Sequence, residues 1–438
     1  MRSQFLFFVT ILCYSLKGFT QSSQNDSLPN ATLPDCIQYA LTHQPHIQQS
    51  LLDEKIAKAT IRTKLGDWFP QISLDAYYQH NIKLPTNFFN GAFIANGTSN
   101  ISSIGVSGTQ NIFNPDVLLA ARTSGDIKKA YSQITDSTRI GIISDVSKGF
   151  YSVLLTQKQI SVLDEDIVRL ERSLQDAYNQ YQGGIVDKTD YKRATISLNN
   201  AKAQRKQQQD LLTAKYFYLR QLMGYPDSTQ LQLQYDSTEL AREIRFDTLQ
   251  EVNYNNRIEY QLLQTEKNLR QYNLKYYKWG YLPSAYIYGV YNFGYLNSDF
   301  GKLYERAFPN SNVGVQLNFP IFQGTKRTYQ VRAARWQVER LDWDIVSLQS
   351  IIRTEYEQAL ALYKGNLANY DALKENVQLA IEVYNVIRLQ YQQGIKTYLD
   401  VIVAESDLRT SQINLYTATY ELLVSKIDLQ KALGTLQQ

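Results

Sequence analysis

Cysteine is almost missing from this chain: among 438 residues only Cys13 and Cys36 occur. Cys13 lies inside an apolar N-terminal run, so a chain cleaved behind that run keeps Cys36 alone and has no intrachain disulfide. Histidine is nearly as rare. His43 and His46 are three residues apart, but Pro45 stands between them, and neither they nor His80 come with a cysteine or carboxylate cluster that would make a metal centre. No sign of charge dominates either. The 45 Lys and Arg against 41 Asp and Glu leave a net +4, too small a field to point to nucleic acid or an acidic substrate. Lys202, Arg205 and Lys206, interspersed with glutamine, read as a solvated helix face. Serines lack the setting of a nucleophile elbow, and no phosphate loop is present. The chain therefore offers no catalytic constellation and no cofactor motif, and its function must lie in its shape.

Long apolar runs are lacking as well. Met1-Arg2, the apolar stretch from Phe5 to Leu16 and Gly18-Phe19-Thr20 read as a secretory signal peptide over residues 1–20. That stretch is too short to span a bilayer as a helix. Leu12 is a poor neighbour for a lipidation site, so cleavage near Thr20 is expected instead of acylation of Cys13. With no transmembrane helix elsewhere, an exported chain of this kind stays soluble or enters a membrane as a β-barrel.

What the chain does have is organised around Gly394 to Gly434. From Val401 an apolar or small residue recurs at steps of three and four, through Ala404, Leu408, Ser411, Leu415, Ala418, Leu422, Ser425, Leu429 and Ala432. This is a heptad seam of alternating large and small layers. A second stripe, Ile413, Tyr416, Tyr420, Leu423 and Ile427, gives the same helix neighbours on two sides, which suits a sheet or closed ring of helices. Gly394 fits the left-handed residue past a helix end, and Thr397 with Asp400 fits an N-cap with an acid in the first turn. Tyr181-Gln182-Gly183-Gly184-Ile185, with Asp187 and Asp190, repeats the turn, and the interval from Gly184 to Gly224 equals that from Gly394 to Gly434. The chain is thus read as an internal duplication. Residues 21–224 form a first repeat with its turn at 183–190, 225–246 a linker with one short strand, and 247–438 a second repeat with its turn at 393–400.

Each half follows one order. Residues 21–33 read as a flexible lead-in and Leu33 to Gly66 as one helix; its counterpart runs from about Asp247 to Lys278. The period then changes to two. Ile72, Leu74, Ala76 and Tyr78 alternate with Ser73, Asp75, Tyr77 and Gln79, predicting a strand at about 71–80. A loop at about 81–101 precedes a second strand at about 103–113. In the second half, strands are predicted at about 284–295 and 312–322, the latter presenting Val313, Val315, Leu317, Phe319 and Ile321 on one face. Each run has about the 9–11 residues that cross a bilayer as a tilted strand, with one apolar and one polar face. A soluble hairpin would read the same way, but two matching pairs in an exported chain favour membrane strands. Helices from about Pro115 to Gln182 and Gly324 to Gln392 follow, each about 100 Å long at 1.5 Å per residue.

Two halves of helix, strand, strand, long helix, turn and helix, with Gly184/Asp190 and Gly394/Asp400 at the turns, resemble the TolC family of outer-membrane efflux ducts. Phe69-Pro70 after Trp68, Leu282-Pro283 after Tyr281 and the closing Leu433-Gly434 match as well. The resemblance implies an α+β membrane protein in a Gram-negative-type outer membrane. It is a homotrimer whose four strands per chain give a twelve-stranded barrel, continued by a twelve-helix tunnel across the periplasm. It implies a periplasmic adaptor and an inner-membrane pump as partners, working in efflux or type I secretion. The adaptor docks at the tip turns Gly184, Ile185, Gly394 and Ile395. The lipid-facing strand residues are Ile72, Leu74, Val313, Val315, Leu317 and Phe319. At the periplasmic aperture, Asp190 corresponds to an aspartate that ties the closed tip to a tyrosine and an arginine, here Tyr391 and Lys396. Lys396 departs from that pattern because it cannot make a bidentate fork. Asp400 corresponds to the aperture-ring aspartate; the second acid of that ring is Val403 here, leaving three charges in place of six. Capping alone would also account for both aspartates. The rival reading is an exported structural or adhesive coiled-coil protein, which has no need of apolar-faced strands.

Overall fold

Two helices far longer than any globular core carry the chain, and the shorter helices pack along them. The structure, a computed structural model, describes residues 28–89, 91–227, 229–234 and 244–436; the signal-peptide reading lies outside these. After β1 (Leu28–Ala31) come α1 (Leu33–His43), α2 (Pro45–Gly66), β2 (Gln71–His80), β3 (Thr86–Phe89), β4 (Ala92–Ala95) and β5 (Asn100–Phe113). The first long helix, α3 (Pro115–Gln182), and α4 (Lys188–Met223) follow. Beyond β6 (Leu231–Leu233) the order resumes with α5 (Ile258–Trp279), β7 (Ser284–Asn297), β8 (Ala307–Asn318), the second long helix α6 (Lys326–Gln392) and α7 (Tyr398–Leu433).

The single helix expected over 33–66 is two. Gln44 is extended, with φ −64° and ψ 125°, and its side chain caps the His46 N–H. Pro45 imposes this: it has no N–H to give, and its ring drives the preceding residue out of the helical region. The helix expected from Asp247 begins only at Ile258. Asp247 and Asn253 accept hydrogen bonds from the N–H groups two residues on, at 3.0 Å each, which bends the backbone into local turns that compete with a helix. Within the expected lead-in, Leu28–Ala31 forms a strand paired in parallel with β6. Within the expected 81–101 loop lies the β3–β4 hairpin, with Phe88 opposite Phe93.

One antiparallel sheet runs in the order β2-β5-β7-β8. Its register places Ile72 beside Gly108, Gly289 and Val313, and Leu74 beside Val106 and Tyr291. Ile287 lies beside Val315, and Ala285 beside Leu317. Because side chains alternate across a strand, these share one face, while Asp75, Asn292 and Asn310 or Tyr286 and Gln316 share the other. The strand expected at 312–322 is displaced. β8 starts at Ala307 and stops at Asn318, where its pairing with Ser284 runs out. Phe319 and Ile321 therefore lie beyond the strand, on the approach to Pro320 and Gly324. Arg306 to Ser311 conceal the true start because they do not alternate and include Pro309, which is tolerable on an edge strand.

The main core sits midway along α3 and α6, where α1, the ends of α4 and α7, and the β1–β6 ribbon meet. Phe150, Leu219, Leu422 and Tyr363 are fully enclosed there. Tyr363 fastens residues 244–246 by donating to the Ile244 carbonyl and accepting from the Phe246 N–H. At the end of α7, Gly434 has φ +71°, and a Cβ on it would come 2.6 Å from the Asn256 carbonyl oxygen. Gly394 has φ +74° with nothing within 4 Å. Both pay about 1–2 kcal/mol for a side chain in the left-handed region, but only Gly434→Ala also pushes backbone apart. Gly434→Ala is therefore expected to lower the melting temperature more than Gly394→Ala, as followed by loss of helical circular dichroism; equal effects would contradict the close approach.

Candidate functional site

The two tip turns are built alike. After α3, the Ile185 N–H reaches the Gln180 carbonyl at 2.9 Å and the Gly184 N–H the Tyr181 carbonyl at 3.0 Å; after α6, Ile395 reaches Gln390 and Gly394 reaches Tyr391, both at 2.9 Å. This is the paired hydrogen-bond closure of a helix end, and it needs a left-handed residue, supplied by Gly184 and Gly394. Ile185 and Ile395 are thrust outward, 75% and 67% exposed. Each tip turn thus presents one exposed isoleucine.

The turns then diverge. Thr397 and Asp400 close a reciprocal capping box, the Thr397 N–H and hydroxyl both donating to the Asp400 carboxylate at 2.9 and 2.8 Å. The Thr397 hydroxyl and backbone, and then Lys396, hold the Asp400 carboxyl below its usual value. In the first turn Asp187 stands where Thr397 stands in the second, and it caps the Thr189 N–H at 3.1 Å. Because the Asp187 side chain takes the Thr189 N–H and not that of Asp190, no reciprocal box closes onto Asp190. Asp190 is thus an acid in the first turn of α4 without the reciprocal box of Asp400.

Within the chain, Asp190 does not bond Tyr391 or Lys396. Tyr391 donates to Gln180 Oε1 at 2.9 Å, across to the other hairpin, and Lys396 Nζ lies 4.0 Å from Asp400. Burial pushes the Tyr391 hydroxyl up; the Gln180 bond opposes this, and the nearby Asp190 and Asp176 carboxylates add to it. At the far end of the molecule, Ile72, Leu74, Val313, Val315 and Leu317 project from one face of the sheet, all exposed in the single chain.

A sequence model of the outer membrane efflux protein family matches residues 36–225 and 283–435. The chain belongs to this family. It is 24% identical over 441 residues to the outer membrane protein TolC of Escherichia coli (strain K12), covering 97% of this chain and 85% of that one. It is 21% identical to the probable efflux pump outer membrane protein TtgC of Pseudomonas putida, covering 92% and 82%. The solved Campylobacter jejuni CmeC outer membrane channel superposes with a TM-score of 0.75 at 16% identity, covering 92% of this chain and 85% of that one. The protein is thus an outer-membrane protein with a large helical part in the periplasm, in a family of ducts and not of enzymes.

In this efflux protein the two hairpins, α3/α4 and α6/α7, meet along a polar seam that sequence reasoning missed. Four residues of α3 spaced by seven bond across it. Gln159 reaches Thr417 at 3.1 Å, Asp166 accepts from Arg409 at 2.8 Å, Ser173 donates to Glu405 at 3.2 Å, and Gln180 accepts from Tyr391. Asp166 is 0% exposed and also accepts from Arg169 at 3.3 Å. By contrast, the basic positions Lys202, Arg205 and Lys206 on α4 form surface pairs with Glu171, Asp164 and Asp210. The available signal for the seam was the seven-residue spacing of polar residues on α3, which an exposed face would show equally well.

Proposed function

We propose that this efflux protein works as a homotrimeric, passive exit duct. Twelve strands form a barrel in the outer membrane, the helices form a periplasmic tunnel, and an adaptor and an inner-membrane pump engage the tip. The observation that carries this reading is a four-stranded sheet with one apolar face and two unpaired edges. No backbone polar group can stay unpaired in hydrocarbon, so such a sheet must be closed by further copies. The helices below carry the same two open flanks. They pack as α2, α3, α5, α6 next to the sheet and as α4, α3, α7, α6 towards the tip. The outward side of α6 exposes Trp336 and Trp343, one heptad apart, and α2 exposes Leu52 and Ile56. A ring of copies would bring these flanks together.

The proposed tip follows from the same order. Gly184, Ile185, Gly394 and Ile395 form the adaptor-docking end, and Asp400 lines the aperture. With α4 and α6 as flanks, Asp190 of one protomer meets the Lys396 turn of the next, while Tyr391 closes onto Gln180 within the protomer. A partly exposed ion pair contributes about 0–1 kcal/mol and a neutral hydrogen bond about 0.5–1.5 kcal/mol, repeated three times. Tyr391→Phe is expected to raise planar-bilayer conductance more than Lys396→Ala, with the double variant highest; unchanged conductance would remove these residues from the gate. The assembly itself is tested by extracting outer membranes with detergent. A heat-modifiable oligomer of three chains supports it, and a soluble monomer refutes it.

A further inference from the structure

Two carboxylates lie buried in the seam between the hairpins, and they are treated differently. Asp166 is matched by the Arg169 and Arg409 guanidinium groups. Glu405, one turn before Arg409 and 1% exposed, receives only two hydroxyls, Ser173 at 3.2 Å and Tyr384 at 3.4 Å, both on Oε1. Its other oxygen, Oε2, is enclosed and has no hydrogen-bond partner among the described residues. Glu405 borders a cavity of about 70 Å³ between α3, α6 and α7. Every charged or titratable group around it can be named. From α3 come Asp166, Arg169, Arg172 and Asp176; from α6, Tyr384, Arg388 and Tyr391; from α7, Tyr398 and Arg409. Arg409 and the Arg169 Nη2 are committed to Asp166 while Arg169 Nε makes no hydrogen bond to Glu405, and Arg172 and Arg388 stand exposed at the rim, where solvent screens them. An ionised carboxylate with an unmet oxygen is costly in such a place, while the neutral acid is tolerated.

We propose that Glu405 is a proton-operated latch on the seam between the two hairpins: protonated, it lets α3, α6 and α7 close; ionised, it drives them apart. The hairpins are each packed more extensively within themselves than against each other, so the seam is where the tip gives way. An ionised Oε2 is relieved when water, or the Arg172 or Arg388 guanidinium from the rim, reaches it, and either requires the helices to part. Burial raises the affinity of Glu405 for its proton, reinforced by Asp166 and opposed by the Ser173 and Tyr384 bonds and the Arg169 charge. The closed seam therefore binds the proton more tightly than the open one. Closure is fully favoured below the ordinary carboxylate pKa of about 4.3 and is progressively lost as pH rises through the raised value. For a duct whose tip hangs in the periplasm, which rests on the function proposed above, this links acid outside the cell to a tighter tip.

Glu405→Gln keeps the shape and the neutral state. At pH 7.5, amides of residues 166–180 and 398–409 in the detergent-purified protein are expected to exchange hydrogen several-fold more slowly in E405Q than in the native chain. At pH 4.5 the two should agree within about twofold. Comparing both proteins at the same pH cancels the intrinsic exchange chemistry. No slowing at pH 7.5, or the same slowing at both pH values, would overturn the latch. In bilayers, native conductance should rise between pH 4.5 and 7.5 and that of E405Q should stay low and flat; an unaltered pH response in E405Q would equally refute it. A missing trimer band in the native protein would instead refute the assembly, leaving the exchange comparison decisive for the latch.

Discussion

Val315→Arg is expected to abolish the assembled protein in the outer membrane, while Gln316→Arg, one residue along, leaves it intact. Val315 pairs with Ile287 on the apolar face, and Gln316 pairs with Tyr286 on the polar face. A mid-bilayer arginine on a lipid-facing strand costs about 2–4 kcal/mol. In the proposed trimer three copies make this about 6–12 kcal/mol, as large as the whole stability of a typical domain. Leu317→Arg, on the same face, should behave like Val315→Arg with a smaller loss if it lies nearer the bilayer edge. The measurement is heat-modifiable oligomer in the outer-membrane fraction, with total chain as the control. Equal loss in V315R and Q316R would mean that the faces are not lipid and lumen.

Arg409→Ala is expected to open the tip locally without dissolving the barrel. It removes the better of the two partners of Asp166, which is wholly enclosed. Breaking a buried ion pair from one side costs about 3–5 kcal/mol when the remaining charge is left without compensation; Asp166 keeps Arg169 at 3.3 Å, which places the cost at the lower end. At 1.36 kcal/mol per decade, hydrogen exchange of the α3 and α7 amides beside the seam should accelerate by about 10²-fold. The core around Tyr363, packed independently of the tip, should be unaffected. Asp166→Leu combined with Arg409→Met should recover most of the loss, since an apolar pair of similar volume is often as stable as the ion pair it replaces. If the double variant exchanged as fast as R409A, the cost would lie in lost packing and not in the stranded charge.

Where the sequence was legible, the reason is local periodicity. The alternation Ile72–Tyr78 and the run from Val313 to Leu317 each repeat at the period of the strand that they form. Pro115, at the first helical position behind the Asn114 cap, marks a start that needs no knowledge of neighbours. Gly394 likewise announces its left-handed turn, because only glycine adopts that conformation without strain. Where it misled, the deciding contact was remote or the local pattern ambiguous. Phe319 continues the alternation of β8, but the strand ends where β7 ends. Leu28–Ala31 looks like a polar lead-in and becomes a strand only because Leu231–Leu233 lies beside it. Asp190 matches Asp400 in spacing, yet the Asp187 side chain turns to the Thr189 N–H and no capping box forms there.

The sequence alone determined most of the long elements, their order, the position of the tip turns and the two-faced character of the strands, because each of these follows from side chains within a few residues of one another. Only the tertiary structure decided that Gln159, Asp166, Ser173 and Gln180 form an interior seam and not a wet surface, and that Glu405 is buried with one oxygen unmet. A heptad of polar residues has the same spacing on either kind of face. Whether it meets water or another helix depends on the arrival of α7, more than two hundred residues along the chain, and burial, which sets the cost of each charge, exists only once that helix is in place.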